Sequence, residues 1–202
     1  MKVKICGITD IESGMAAVRY GADAIGFVFA ESKRKISEAS AKEIITHLPE
    51  GVMKVGVFVN EAKTEIERIA AAVGLTHIQL HGDESAPYSE SIPLPVIKAI
   101  SFQNNAHLAN YNSFPSEYLL LDGPKGRYQG GNGLTFDWSQ VTPNLIKDKK
   151  VILAGGLTTE NLEEAIRSIR PDMVDVSSGV ETDGSKDIAK IKTFIEKAKN
   201  VN

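Results

Sequence analysis

Apolar residues recur along this chain in short runs, and each run is followed by a stretch in which apolar residues return at helical spacing. Most of the runs are continuous rather than alternating, which is typical of parallel strands that are covered on both faces. Their lengths suit strands better than helices. The eight runs predict strands over residues 3–6, 24–29, 52–59, 76–80, 96–100, 118–121, 151–154 and 173–176.

The stretches between the runs carry the signals of amphipathic helices. The clearest helix covers residues 61–73, ends at Gly74 and carries one apolar stripe, formed by Ile66, Ile69, Ala70 and Val73. The other predicted helices cover residues 11–20 behind an Asp10 cap, a segment from Ser37 or Ser40 to before Pro49, a segment from Thr158 or Thr159 through Arg167, and residues 185–199. Weaker helical patterns lie at residues 83–91, at 104–111 and after Phe136.

Strand and helix alternate eight times, and this order predicts an α/β fold with a parallel sheet and right-handed crossovers. Eight such units close into a (β/α)8 TIM barrel. At about 25 residues per unit they account for the whole chain, so we expect residues 1–202 to form a single catalytic domain. The alternative is an open doubly wound sheet, but the Gly-x-Gly-x-x-Gly turn expected there does not follow the first strand.

The composition argues against several classes of protein. The chain has 23 Lys and Arg against 26 Asp and Glu, a net charge of −3, which argues against binding to nucleic acid or to a membrane surface. One cysteine excludes an intrachain disulfide and a cysteine zinc cluster, and fits a reducing, cytoplasmic location. No signal-like segment and no apolar run long enough to span a bilayer is found, so we expect a cytoplasmic protein.

In a TIM barrel the active site lies at the carboxyl ends of the strands, so the candidate site residues are those that end or directly follow a predicted strand. Cys6 ends the first strand and is either a small buried hydrophobic residue or a thiolate that removes a proton. Asp122 follows three leucines and is either a loop carboxylate or a proton donor, because apolar walls favour its protonated form. Period-two geometry also turns Lys4 to the face of Cys6, where Asp175 is its expected partner.

Glycine-rich segments point to a phosphorylated ligand. Residues 154–157 (Ala-Gly-Gly-Leu) and 177–179 (Ser-Ser-Gly) follow the seventh and eighth strands, where TIM barrels usually bind phosphate through backbone N–H groups. A further loop, Gly-Gly-Asn-Gly at 130–133, precedes a helix-like segment. The candidate backbone donors are Gly131, Gly133, Gly155, Gly156, Ser178 and Gly179.

Two side chains after other strands have less certain roles. Arg34 lies in a basic loop after the second strand and is either solvated or positioned to bind a carboxylate. His81 follows the fourth strand and is equally consistent with a cap, a core residue or a site residue. No histidine pair or carboxylate triad suggests a metal, so none is expected.

Together these motifs resemble the phosphoribosylanthranilate isomerase family of tryptophan biosynthesis, over residues 3 to about 184. The matching motifs stand in order at the predicted strand ends: Lys-Ile-Cys-Gly-Ile-Thr at 4–9, Ala-Ile-Gly-Phe-Val-Phe at 24–29 with Ser-Lys-Arg at 32–34, Val-Gly-Val-Phe-Val at 55–59, Gln-Leu-His-Gly-Asp-Glu at 79–84, Leu-Asp at 121–122, Gly-Gly-Asn-Gly at 130–133 with Phe-Asp-Trp at 136–138, Ala-Gly-Gly-Leu at 154–157 and Asp-Val-Ser-Ser-Gly-Val-Glu at 175–181. Asn132 stands where the family more often has a hydroxyl residue.

The resemblance implies an isomerase that carries out an Amadori rearrangement. The expected substrate is N-(5-phosphoribosyl)anthranilate and the expected product is 1-(2-carboxyphenylamino)-1-deoxyribulose 5-phosphate. It implies Cys6 as general base, Asp122 as general acid, Arg34 as the partner of the anthranilate carboxylate, His81 as a pocket residue and the glycine loops as the phosphate site. No cofactor is expected, since a protonated imine serves as the electron sink.

Other classes of function remain open at this stage. One is another phosphate-binding barrel enzyme acting on a related phosphosugar aminoaldose, including an isomerase that also accepts the corresponding aminoaldose of histidine synthesis. A second is a lyase that uses a Schiff base on Lys98. A third is a non-catalytic binder of a phosphorylated ligand. The expected partner in each case is a small phosphorylated molecule, with no nucleic acid and no membrane; protein partners are not indicated by the sequence.

Overall fold

Eight parallel strands close into a barrel in the computed structural model, which describes residues 1–123, 136–142, 145–146 and 148–201. Each strand pairs with its neighbours in chain order, and the first pairs with the eighth. The strands are β1 (Lys2–Cys6), β2 (Ala24–Val28), β3 (Met53–Phe58), β4 (His77–Leu80), β5 (Val96–Ser101), β6 (Tyr118–Asp122), β7 (Lys150–Leu153) and β8 (Met173–Val176). The predicted TIM barrel is confirmed, and each observed strand overlaps one of the eight apolar runs.

Two apolar layers explain why the runs are continuous. Residues on one face of each strand fill the barrel, among them Val55, Leu120 and Ile152, all fully buried. Residues on the other face, such as Ile5, Ile25 and Val174, pack beneath the helices. Because both faces are covered, the strands do not need a polar side, as expected for a parallel sheet.

The helices lie outside the barrel, and their ends follow local capping. Those in the described residues are α1 (Ile11–Arg19), α2 (Glu38–His47), α3 (Lys63–Val73), α4 (Ala86–Glu90), α5 (Asn105–Ala109), α6 (Leu162–Ile169) and α7 (Ile188–Asn200), with short 3-10 turns at Trp138–Gln140 and Ser178–Val180. Asp10 and Ser37 accept from backbone N–H groups and cap α1 and α2, as predicted. No helix of this part of the chain combines the length and apolarity required to cross a membrane.

Several helices begin later than predicted, and the last one differs in kind. Residues 185 and 186, predicted as its start, form strand β10 (Ser185–Lys186), which pairs with β9 (Glu181–Thr182), and α7 begins at Ile188. The reason is Asp187, whose carboxylate accepts from the N–H groups of Ala189 and Lys190 and fixes the helix start there. Helix α6 likewise begins at Leu162 rather than at Thr158 or Thr159.

Candidate active site

A pocket opens at the carboxyl ends of the strands, where the sequence places its candidate residues. Cys6 of β1, Asp122 of β6 and the side chains of Arg34 and His81 line it together. Gly155, Gly156 and Ser178, which follow β7 and β8, complete the wall. The barrel therefore brings together seven candidates that are far apart in the sequence. Gly131 and Gly133 lie outside the described residues.

Cys6 lies beside a buried ion pair. Lys4 points to the same face and its Nζ donates to Asp175 Oδ1 at 3.0 Å, with the Lys4 side chain fully buried. The register explains the pair, since Lys4 stands opposite Asp175 where β1 meets β8. The pair predicted from strand periodicity is confirmed. A Cβ on Gly26 would come within 2.7 Å of Cys6 Sγ and 3.2 Å of Lys4 Nζ, so glycine at this position makes the room for both.

The charge state of Cys6 reflects two opposing effects. Burial raises the pKa of the thiol, and Asp175 adds to that rise, whereas the ammonium groups of Lys4 and Lys186 lower it. The net result is a pKa above the ordinary value. Among the described residues, two ammonium groups therefore favour the thiolate of Cys6, and burial outweighs them.

Asp122 faces His81 across the pocket. One carboxylate oxygen, Oδ1, accepts from the backbone N–H of Gly123 at 2.7 Å, and Oδ2 lies 3.3 Å from His81 Nε2 without the alignment of a hydrogen bond. The amide of Gln79 lies 3.2 Å from His81 Nδ1. When that amide nitrogen donates, Nδ1 is the acceptor and the imidazole proton resides on Nε2, the ring nitrogen near Asp122. His81 is thus a pocket residue rather than a cap or a core residue.

Arg34 is not a solvated basic residue. Its guanidinium donates to both carboxylate oxygens of Glu181, from Nε at 2.6 Å and from Nη2 at 2.8 Å. The same Glu181 accepts from Lys186 Nζ at 2.6 Å. Glu181 raises the pKa of the Arg34 guanidinium, while burial opposes that rise. The carboxylate that Arg34 binds here is therefore one supplied by the chain itself.

The loops after β7 and β8 offer backbone donors. Gly155 and Gly156 have left-handed φ angles of 80° and 64°, which glycine adopts readily. Within the described residues, the N–H groups of Gly155, Gly156 and Ser178 donate no hydrogen bond. A cluster of unpaired N–H groups at a pocket wall suits a phosphate. Gly179 does not line the pocket; a Cβ there would overlap the carbonyl oxygen of Leu157, so this glycine lets the two loops touch.

Lys98 is held away from the pocket. Its Nζ donates to Glu84 Oε2 at 2.7 Å and to the carbonyl of Gly82 at 2.6 Å, and the side chain is almost completely buried. Because Lys98 does not line the pocket, it is not placed to form a Schiff base with a ligand there. The pair instead fixes the loop that carries His81.

Sequence reasoning missed three polar residues of this site. Gln79 could have been predicted, because it lies two residues before His81 and so points to the same face of β4. Glu181 was quoted only as part of a motif, and Lys186 was assigned to a helix. The described residues contain no cluster of three or more His, Cys, Asp or Glu side chains arranged to hold a metal.

Comparisons with known proteins agree with this geometry. The family model of N-(5'phosphoribosyl)anthranilate (PRA) isomerase matches residues 3–197. The chain is 54% identical over 201 residues to N-(5'-phosphoribosyl)anthranilate isomerase of Bacillus cereus (strain Q1), covering 98% of each. It resembles the phosphoribosyl anthranilate isomerase structure from Thermotoga maritima at a TM-score of 0.89 and 44% identity, again with 98% of each chain covered. A further isomerase structure, in complex with reduced 1-(O-carboxyphenylamino)-1-deoxyribulose 5-phosphate, matches at a TM-score of 0.87 and 42% identity over 98% of both chains.

Proposed function

The chain belongs to the N-(5'-phosphoribosyl)anthranilate isomerase family, and we propose that its pocket performs the family's Amadori rearrangement with Cys6 as general base and Asp122 as general acid. The protein is an aldose-ketose isomerase of tryptophan biosynthesis. Its substrate is the aminoaldose N-(5-phosphoribosyl)anthranilate, and its product is the aminoketose 1-(2-carboxyphenylamino)-1-deoxyribulose 5-phosphate.

The first step is opening of the furanose ring, which needs an acid. In this role Asp122, which is buried, gives a proton to the ring oxygen as the bond from C1 to that oxygen breaks. The nitrogen lone pair forms the new bond to C1, so the intermediate is a protonated imine. Asp122 then carries the negative charge, which the His81 Nε2–H faces at 3.3 Å. In this proposal His81 is a positioning residue that holds the carboxylate towards the sugar.

The second step removes the hydrogen on C2. The positive imine acidifies that hydrogen, and the thiolate of Cys6 takes it. The electron pair of the C2–H bond becomes the C1–C2 double bond, while the imine pair returns to nitrogen. The resulting enolamine tautomerises to the ketone as a proton is added at C1 and lost from the C2 hydroxyl. Because the imine accepts the electrons, the reaction requires no metal and no organic cofactor.

The remaining residues hold the two ends of the substrate. We assign the phosphate to the N–H groups of Gly155, Gly156 and Ser178, since they are unpaired at the pocket wall. We assign the anthranilate carboxylate to Arg34, whose guanidinium is already oriented by Glu181. Gly131, Gly133 and Gly179 are proposed to support the phosphate end through the backbone of their loops.

The observation that carries the catalytic assignment is that the buried thiol of Cys6 and the buried carboxyl group of Asp122 line the same pocket, at the ends of β1 and β6, while the other buried carboxyl group of the pocket, Asp175, is paired with Lys4. The test is the fluorescence assay of phosphoribosylanthranilate consumption by the purified protein and two variants. Cys6→Ala and Asp122→Asn should each lower kcat by about 10²-fold or more, the usual contribution of one proton transfer. Neither should change substrate binding comparably.

The outcomes separate the alternatives. If either variant keeps a kcat near that of the parent protein, the role proposed for that residue is wrong. If the parent protein is inactive on this substrate yet turns over a related phosphosugar aminoaldose, the substrate assignment is wrong while the acid–base chemistry stands. We further propose that residues 1–202 act as one catalytic domain in the cytoplasm.

A further inference from the structure

A second buried lysine lies beside the proposed base, on the hairpin after β8. Lys186 Nζ donates to three acceptors: Glu181 Oε1 at 2.6 Å, the carbonyl of Ser177 at 2.9 Å and Ser177 Oγ at 3.3 Å. The side chain is 2% exposed. Ser177 Oγ in turn donates to the carbonyl of Cys6 at 3.0 Å. A chain of direct contacts therefore joins Lys186 to the backbone of Cys6.

We propose that Lys186 is a positioning residue of this active site, which holds Glu181 against Arg34 and places beside Cys6 the positive charge that favours its thiolate. This proposal rests on the assignment of Cys6 as general base. It differs from the roles assigned above, because Lys186 acts on the ionisation of Cys6 and on the position of Glu181 and is not assigned as a donor to the phosphate.

The charges around Cys6 support this assignment. Lys4 has the largest effect of any cation on the thiol, but Asp175, with which it forms a buried pair, opposes it. Among the described residues, a second group contains two cations, Arg34 and Lys186, and one shared carboxylate, Glu181. This second group carries an excess positive charge, which a Cys6 thiolate would balance. Lys186 therefore adds to Lys4 a second positive charge that lowers the pKa of the thiol.

The geometry also links Lys186 to the carboxylate end of the pocket. Arg34 donates to both oxygens of Glu181, and Lys186 donates to Oε1 as well, so the carboxylate is fixed in the plane that the Arg34 fork requires. Loss of Lys186 would free Glu181 to rotate. We therefore expect both a change in the ionisation of Cys6 and weaker substrate binding when this lysine is replaced.

Other ionisable groups face Cys6 and must stay unchanged in the test. Lys4 on β1, Asp175 on β8, Lys186 on β10 and Arg34 after β2 interact with the thiol. The further ionisable side chains that line the same pocket are Glu31, His81 and Asp122. The test therefore replaces Lys186 alone and follows the ionisation of Cys6 directly.

Cys6 is the only cysteine in the chain, so alkylation by iodoacetamide reports on it alone. The rate is measured without substrate between pH 6 and 11 for the parent protein and for Lys186→Met. A change in access alters the rate at every pH, whereas a change in nearby charge moves the midpoint of the profile. We expect the midpoint to rise by about one pH unit in Lys186→Met, and kcat/KM at neutral pH to fall about tenfold with an increase in KM.

Two further variants sharpen the result. Lys186→Arg keeps the charge and should return the midpoint close to that of the parent protein. Lys190→Met is the matched control, because Lys190 is solvent-exposed and its Nζ donates to the backbone carbonyl of Glu181, at 2.8 Å, rather than to its carboxylate; it should leave the midpoint and kcat/KM within twofold of the parent. If Lys186→Met fails to fold, Lys186→Gln carries the same test, since it removes the charge and keeps a polar side chain.

An unchanged midpoint in a folded Lys186→Met or Lys186→Gln variant would overturn the proposal. A loss of kcat/KM by the same factor at every pH, with no shift of the alkylation midpoint, would show that Lys186 has only a structural role. Failure of the function assignment looks different: Cys6→Ala would then retain activity, while the alkylation profile of Lys186→Met would still shift.

Discussion

Among single residues, Cys6 shows most clearly how the fold balances competing effects. Burial stabilises its neutral thiol, while Lys4 and Lys186 stabilise its anion. The first effect is larger, so the pKa of the thiol lies above its ordinary value and the thiol is neutral at neutral pH. A neutral resting thiol resists oxidation and alkylation, and the base forms only in the fraction of molecules that have lost the proton.

This balance predicts a pH dependence of the isomerase. Because the pKa of Cys6 lies above its usual value, the residual kcat/KM of Asp122→Asn, in which the catalytic acid no longer titrates, should rise with pH across the range from 6 to 9, by about tenfold per unit. The measurement is the initial rate at substrate concentrations far below KM in buffers of constant ionic strength. The residual activity of Cys6→Ala serves as the control and should lack this rise. A flat profile from pH 6 to 9 would mean that the base is already ionised or is another group.

The residues around Cys6 differ in how far the sequence could reveal them. The Lys4–Asp175 pair was predictable, because alternation along β1 and closure of the barrel leave a buried lysine with one available partner. The role of Arg34 was predictable only as a choice between solvent and carboxylate. That its partner in the unliganded protein is Glu181 could not be predicted, because the contact depends on how two loops fold over each other.

At the scale of elements, the helix boundaries and the loop contacts were the least predictable features. The helical pattern at residues 185–199 was real, but its first residues form a strand because Asp187 caps the helix and Thr182 Oγ1 donates to the same carboxylate. The hairpin of β9 and β10 is only two residues per strand, too short to leave a periodic signal. The place of Lys186 at the site could therefore not be predicted from the sequence, whereas the barrel strands and the long helices could.

The contact between the loops after β7 and β8 gives a prediction at this scale. Gly179 lies against the carbonyl of Leu157, and no room exists for a Cβ. Gly179→Ala should push the two loops apart, raise KM about tenfold, equivalent to about 1.4 kcal/mol of binding, and lower stability by about 1–3 kcal/mol. Steady-state kinetics and urea unfolding measure the two effects.

The matched control for this loop variant is Gly51→Ala. A Cβ on Gly51 meets no atom within 4 Å, so kinetics and unfolding should both resemble those of the parent protein. If Gly179→Ala lowers stability but leaves KM unchanged, the loop after β8 does not hold the phosphate, and the assignment of Ser178 fails with it.

For the whole molecule, the decisive feature is closure of the barrel between β1 and β8. Alternation and chain length were sufficient to predict that the eight strands close, because each unit is a local pattern and the right-handed crossover fixes its direction. At the junction, a fully buried Lys4 meets Asp175 in place of two apolar side chains. Removal of one member leaves the other charge buried and unpaired, which is costly.

Lys4→Met should therefore destabilise the barrel by about 3–5 kcal/mol, measured by urea unfolding at neutral pH. Burial alone would lower the pKa of Lys4, but Asp175 and Cys6 raise it above its usual value. Stability from a raised pKa is present below the unfolded value and is lost only as the pH rises through the folded value. The difference in the free energy of unfolding between Lys4→Met and the parent protein should thus stay constant from pH 6 to 9.

Lys2→Met, on the exposed start of the same strand, is the control and should unfold like the parent. The double variant Lys4→Met/Asp175→Asn should recover part of the loss, because it removes the unpaired carboxylate; a double variant no more stable than Lys4→Met would show that lysine packing, not the ion pair, holds this junction.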